Sequence, residues 1–181
     1  MENVRAFVTN FAPAAYRNER AYGVPALLTL AQAALESGWG KFAPGFNFFG
    51  VKADKSWTGP KQRLRTREVI RNADVFMYDD FRKYASADAS FADHADFLKK
   101  WPRYKKVFET KDPREAARAV AAAGYATDPN YANALIRIMD LMEQSGALPK
   151  QPPGKEPITA MSPILARSTW LARLQAWLLR R

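Results

Sequence analysis

Two glutamates, a small set of aromatic and amide side chains and one histidine are the residues of this 181-residue chain whose type and placement suggest chemistry. Cysteine is absent and His94 is the single histidine. That composition excludes thiol nucleophiles, cysteine-based metal sites and multi-histidine metal sites, and leaves a Ser-His-Asp triad only through His94. Carboxylates, tyrosines and amides remain. From residue 21 to 40 the sequence reads AYGVPALLTLAQAALESGWG, and Glu36 is its one charged residue. A helix this poor in charge is buried on most of its surface, with Leu27, Leu30, Ala31 and Ala34 as the firmest core stripe. Glu36 projects roughly opposite that stripe, beside Thr29, Gln32 and Ala33, and so is expected to face a lined cleft. It stands in the last helical turn, where the negative end of the dipole disfavours ionisation, and partial burial beside Trp39 acts the same way. A carboxyl that keeps its proton near neutral pH is what a general acid needs. The alternative is an ordinary surface glutamate at a helix end.

The second carboxylate is Glu68. Residues 63–70 alternate so that Leu64, Thr66, Glu68 and Ile70 share one face of a strand, while Arg63, Arg65, Arg67 and Arg71 share the other with Val69. Glu68 is the only acid in that strand and points with the apolar side chains, flanked by positive charge that keeps it ionised. Its alternative is a cross-strand partner for one of the arginines.

These side chains must be held by larger elements. Residues 3–22 read as a helix that Pro13 interrupts, with Val4, Phe7, Val8 and Phe11 at helical spacing. A second helix starts near Pro25 and stops at Gly38-Trp39-Gly40. Residues 41–60 are loop, punctuated by Gly45, Gly50 and Gly59-Pro60. A hairpin follows, with strands at 63–70 and 75–84 around an Asn72-Ala73-Asp74 turn. Helices are expected at about 87–100, 113–123 and 130–145. The fold class is therefore α+β, mainly α, with an inserted β-hairpin. Residues 1–148 form the domain, and the proline-rich segment 149–161 reads as an extended linker. In 162–181, Trp170, Leu171, Leu174, Trp177 and Leu178 form one side of a cationic amphipathic helix completed by Arg167, Arg173, Arg180 and Arg181.

Lysine and arginine number 28 against 18 acidic residues, and residues 149–181 supply half of the +10 excess. Such charge suits nucleic acid, anionic lipid or acidic envelope polymers, and does not choose among them. The first residues, MENVRAFVTN, carry no signal-peptide pattern, so synthesis in the cytoplasm is expected, with action outside only after release.

Three segments in order, AQAALESGWGK, NFFGVKADKSWTGP and AGYATDPNYA, resemble the glucosaminidase domain of flagellar peptidoglycan hydrolases and related autolysins, family 73 of the glycoside hydrolases. The similarity runs from about Tyr16 to Met142. It implies a lysozyme-like helical lobe and a hairpin lobe flanking a glycan groove, with cleavage of β-1,4 bonds in bacterial peptidoglycan on the reducing side of N-acetylglucosamine. By position Glu36 matches the family's acid and Glu68 its second acidic residue, with Asp74, Asp79 and Asp80 as substitutes. Asn47 and Phe49 match an Asn-x-Phe-Gly element; an asparagine amide suits an N-acetyl group but equally a loop cap. Trp57 either stacks on a sugar or fills the core. The resemblance places a tyrosine in the cleft, Tyr125 before Tyr131, with Asp128 between them. His94, among Phe91, Phe97 and Leu98, reads as structural.

No metal and no organic cofactor is called for. The expected partner is the glycan strand, met by a monomer, with residues 162–181 touching an anionic membrane or lipopolysaccharide and no specific nucleic acid. The setting expected is a phage-type lysin, before a flagellar or cell-division autolysin. The alternative class is a non-catalytic basic module binding glycan or nucleic acid.

Overall fold

The computed structural model describes residues 1–70 and 73–149, with side chains left out at 67–70 and at 73 and 74. The linker and amphipathic helix read from residues 150–181 lie outside the described residues, as do Arg71 and Asn72.

The chain folds as α1 (Glu2–Tyr22), α2 (Ala26–Ser37), β1 (Lys61–Ile70), β2 (Ala73–Arg82), α3 (Ala87–Lys100), α4 (Pro113–Ala122) and α5 (Tyr131–Gln144). Short 3-10 stretches at Pro44–Phe46 and Pro102–Phe108 complete it. Pro13 lies inside α1 and does not end it. Side chains explain the helix starts. Ser86 accepts from the amide of Ala89 at the head of α3, and Asp112 accepts from those of Arg114 and Glu115 at the head of α4. Left-handed Gly23 and Gly38 close α1 and α2, a backbone setting that a residue with a Cβ rarely adopts.

The middle of the molecule is α2. Ala26, residues 28–34 and Ser37 are all buried, so the expected cleft face of Thr29, Gln32 and Ala33 is packed interior. Leu27 of the expected stripe is only half-buried and touches both halves of the core. One half joins α1 to Phe48, Phe49, Val51 and Phe91. The other joins α2 to Ala95, Leu98, Tyr104, Val120, Tyr125, Tyr131 and Leu135. Burying an apolar side chain fully contributes about 1.5–3 kcal/mol, and a helix buried on every side is fixed to match.

The hairpin is antiparallel, with Lys61 opposite Arg82 and Ile70 opposite Ala73. That register puts Ala73 and Asp74 in β2, where a turn was expected, and ends β2 at Arg82 before Tyr84. Lys61, Arg63 and Arg65 are exposed while Gln62, Leu64 and Thr66 are half-buried, the alternation expected of β1. Among the described residues no helix is long and apolar enough to cross a membrane.

Candidate active site

Glu36 is half-buried in the last turn of α2. Its carboxyl meets Tyr131, the first residue of α5. The Tyr131 hydroxyl donates to Glu36 Oε1 at 3.1 Å and accepts from Gln32 Nε2, also at 3.1 Å. Gln32 precedes Glu36 by four residues and therefore lies on the same helical face. Tyr131 thus holds one carboxyl oxygen of Glu36, and Gln32 holds Tyr131. The loop before α5 sets up this contact. Asp128 accepts from the amide of Asn130 with its side chain at 2.8 Å and from that of Tyr131 with its carbonyl at 3.1 Å. Asp128 itself is exposed.

Tyr125 lies one ring further in, stacked on Tyr131 with centroids 5.7 Å apart and planes at 19°. Its hydroxyl is 3.1 Å from Nε2 of His94, and the His94 ring stacks on Phe49 at 4.0 Å. Burial first, and then the charge of Glu36, push both tyrosines well above the ordinary phenol range. They remain protonated donors at any working pH. Burial drives His94 down to about 3, so it is a neutral imidazole.

Sequence reasoning ranked the tyrosines in the other order. Tyr131 is the one on Glu36, and Tyr125 stands behind it. It placed Gln32 beside Glu36 without its bond to Tyr131, and read His94 as structural without its contact to Tyr125. The available signals were an amide one turn before the glutamate in an otherwise apolar helix, and an imidazole among phenylalanines.

Glu68 is paired with Val75 in the hairpin register; its side chain lies outside the described residues, as does that of Asp74. Of the other acids expected nearby, Asp79 is bound to Lys52 Nζ at 2.7 Å and Asp80 pairs in register with Arg63.

Three residues expected in a groove lie beneath the hairpin or behind the tyrosines. Asn47 is buried and its amide serves the backbone: Nδ2 donates to the carbonyls of Val51 and Arg82 at 2.9 and 3.0 Å, and Oδ1 accepts from the amide of Val51 at 2.8 Å. Trp57 is buried under the Arg82 guanidinium, 4.3 Å from the ring centroid, and donates to the carbonyl of Pro60. Phe49 is buried against His94. Arg82, only 2% exposed, donates to both carboxylate oxygens of Asp93 at 2.8 and 2.9 Å, and the Tyr84 hydroxyl donates to the same carboxylate at 2.8 Å. Burial raises Asp93 above its usual range against the opposing pull of Arg82. These contacts clamp the root of the hairpin to α3. Among the described residues no cluster of histidines and carboxylates is placed to hold a metal ion.

A family model described as mannosyl-glycoprotein endo-β-N-acetylglucosaminidase, the glucosaminidase family, matches residues 12–144. A peptidoglycan hydrolase FlgJ of Vibrio cholerae is 41% identical over 82% of this chain and 46% of its own length. An exo-glucosaminidase LytG of Bacillus subtilis is 37% identical over 66% of this chain and 44% of its own. The chain spans about half the length of the curated relatives it matches. Among solved structures, a C-terminally truncated glycoside hydrolase domain of Salmonella typhimurium FlgJ superposes with a TM-score of 0.70 at 36% identity, covering 78% of this chain and 98% of that one.

Proposed function

Because the chain belongs to the glucosaminidase family, a family of lysozyme-like hydrolases, we propose that residues 1–148 are a peptidoglycan hydrolase domain. It cleaves the β-1,4 bond on the reducing side of N-acetylglucosamine, with Glu36 as general acid. The observation that supports this most directly is the Gln32–Tyr131–Glu36 hydrogen-bond chain. With Oε1 accepting from Tyr131, Oε2 is the oxygen left to carry a proton to the departing oxygen, at the end of α2 where the helix dipole opposes ionisation.

In the reaction, the bond between the anomeric carbon and the glycosidic oxygen breaks as Glu36 passes its proton to that oxygen. Glu68, carried on β1, takes a proton from the attacking water, whose oxygen bonds to the anomeric carbon, and afterwards releases it to solvent. Glu36 is left as carboxylate and regains its proton from solvent. A carboxyl separation of roughly 6.5–9.5 Å goes with this inverting scheme, and one of about 5–5.5 Å with a covalent, retaining one. Attack by the substrate's own acetamido group would leave Glu68 an electrostatic role, and product stereochemistry followed by NMR separates the schemes. Tyr131 orients the acid and Tyr125 supports it; Asn47, Phe49 and Trp57 build the floor and the hairpin root, and Asp128 shapes the tyrosine loop.

Mass spectrometry of sacculus digests tests the assignment. New N-acetylglucosamine reducing ends are expected, lost in Glu36→Gln with wall binding kept. N-acetylmuramic acid ends or anhydro products would overturn the bond assignment. We further propose a phage-type lysin whose residues 162–181 reach an anionic membrane or lipopolysaccharide, supported by the sequence of that segment. Deleting them should spare activity on sacculi and remove the effect on cells. Equal loss on both would refute it.

A further inference from the structure

Trp57 and Phe49, the aromatic side chains expected to meet sugar, are buried. Among the described residues the exposed aromatic side chains are Phe42, Phe46, Phe76 and Tyr78. Phe76 and Tyr78 stand on the ribbon, where the Arg65 guanidinium lies 4.3 Å from the Phe76 ring centroid. Phe46 leans on Phe48. Phe42 differs from all three, because its backbone amide donates at 2.8 Å to the carbonyl of Ser37, the residue after Glu36. Its side chain is 68% exposed.

The turn that carries Phe42 has an unusual backbone. Gly38, Trp39 and Gly40 have φ of 57°, 61° and 81°. Three left-handed residues in a row, one of them a tryptophan, are costly and persist only where their surroundings hold them. Here the amide of Trp39 donates to the carbonyl of Ala34 at 2.8 Å and that of Gly40 to Ser37 Oγ at 2.8 Å. Ser37 Oγ in turn donates to the carbonyl of Ala33 at 2.6 Å, and the Trp39 ring meets Phe7 edge-on. The turn lays the Phe42 ring over Gly38, where a Cβ would come within 3.0 and 3.2 Å of Cδ2 and Cε2. A single exposed apolar side chain needs no explanation. A ring fixed in the open by a strained turn, over the second residue after the acid, is a different matter.

The face of an aromatic ring is negative, and a pyranose ring presents C–H groups to it. Beside that face stands exposed Lys41, its Nζ 5.2 Å from the Phe42 centroid. Its charge is complementary to the carboxylates of the peptide stems that peptidoglycan sugars carry.

We propose that Phe42 is a substrate-binding residue: its exposed ring stacks on a saccharide of the glycan strand beside the bond that Glu36 protonates, with Lys41 at the rim. The inference rests on the hydrolase reading given above and adds a sugar contact to it.

Steady-state kinetics on purified sacculi test it, with the thermal midpoint followed in parallel. KM should rise about fivefold in Phe42→Ala with kcat and midpoint unchanged, the pattern of a lost binding contact worth one stacked ring. Phe42→Trp should keep the native KM. Phe42→Leu, apolar but without an aromatic face, should behave like Phe42→Ala. A native KM in Phe42→Ala or in Phe42→Leu overturns the stacking. So does a fall in kcat alone, or a lowered midpoint in Phe42→Ala, which would make the ring part of the fold. Each of these overturns the inference alone, provided that the native protein releases N-acetylglucosamine ends and Glu36→Gln does not. Failure of the native protein to do so overturns the hydrolase reading and this inference with it.

Discussion

Glu36 and Glu68 are held in opposite ways. Glu36 ends a helix buried over most of its surface, and Tyr131, itself held by Gln32, fixes its carboxyl. Glu68 lies in a two-stranded ribbon whose second strand leaves Val75, Phe76, Met77 and Tyr78 exposed, Phe76 by 58% and Tyr78 by 61%. A lone hairpin of this kind has little stability of its own. Its placement is set at its root, where Asn47 binds backbone on both sides and Arg82, Asp93, Tyr84 and Trp57 interlock. In this arrangement one carboxyl is placed by the core, and the strand that bears Glu68 is anchored by a clamp at its root.

The buried side should reveal itself in acid. His94 titrates near 3 in the folded chain against an unfolded value of about 6.5. The folded value is depressed, so the contribution is present above pH 6.5 and is lost as pH falls toward 3, by about 5 kcal/mol in full. Denaturant unfolding at several pH values should show this slope in the native protein and not in His94→Phe; equal slopes would deny the burial. Asp93 acts in the opposite sense. Its folded value is raised, so its contribution is complete below the unfolded value and lost as pH rises through the folded one.

Next in size is the clamp. Asp93→Ala takes the carboxylate from the buried Arg82 guanidinium, at a cost of about 3–5 kcal/mol, and should lower the thermal midpoint by about 10 °C. An unchanged midpoint would show that the root does not hold the ribbon. Glu68→Gln should lower turnover on sacculi about a hundredfold with the midpoint unchanged. Native activity would remove Glu68 from the mechanism and turn attention to the acetamido route or to Asp74. The smallest effect belongs to Arg114, a third exposed, which meets Asp140 and Glu143 at 2.6 and 2.7 Å on the surface. Arg114→Ala should cost less than about 1 kcal/mol and leave turnover alone; a larger loss would mean that the far side of α5 helps to seat Tyr131.

The helices were legible because apolar spacing and end signals act locally: Pro25 and Gly38-Trp39-Gly40 mark the two ends of α2. Glu36 was legible as the lone charge in an apolar helix. The hydrogen bond from Gln32 to Tyr131 was not, because it joins residues 99 apart in the chain. Nothing near either residue announces the other. Thr29 and Gln32 read as cleft lining because they share with Glu36 the helix face opposite the expected core stripe, yet tertiary packing buries both. Asn47 illustrates a different limit. An amide suits an N-acetyl group and a pair of backbone groups equally well, and only the fold, which brings Val51 and Arg82 to it, chooses between them. The hairpin turn was displaced by one residue because Asn72-Ala73-Asp74 carries turn-forming residues at both ends, while the register of Ile70 with Ala73 leaves only residues 71 and 72 between the strands.

The most direct test of the account is the single-turnover rate of Glu36→Gln on purified sacculi, measured beside the native protein with wall binding and thermal midpoint followed in parallel. A loss of about a thousandfold with binding and midpoint retained is predicted for a general acid. Turnover within a factor of two of the native protein would contradict it.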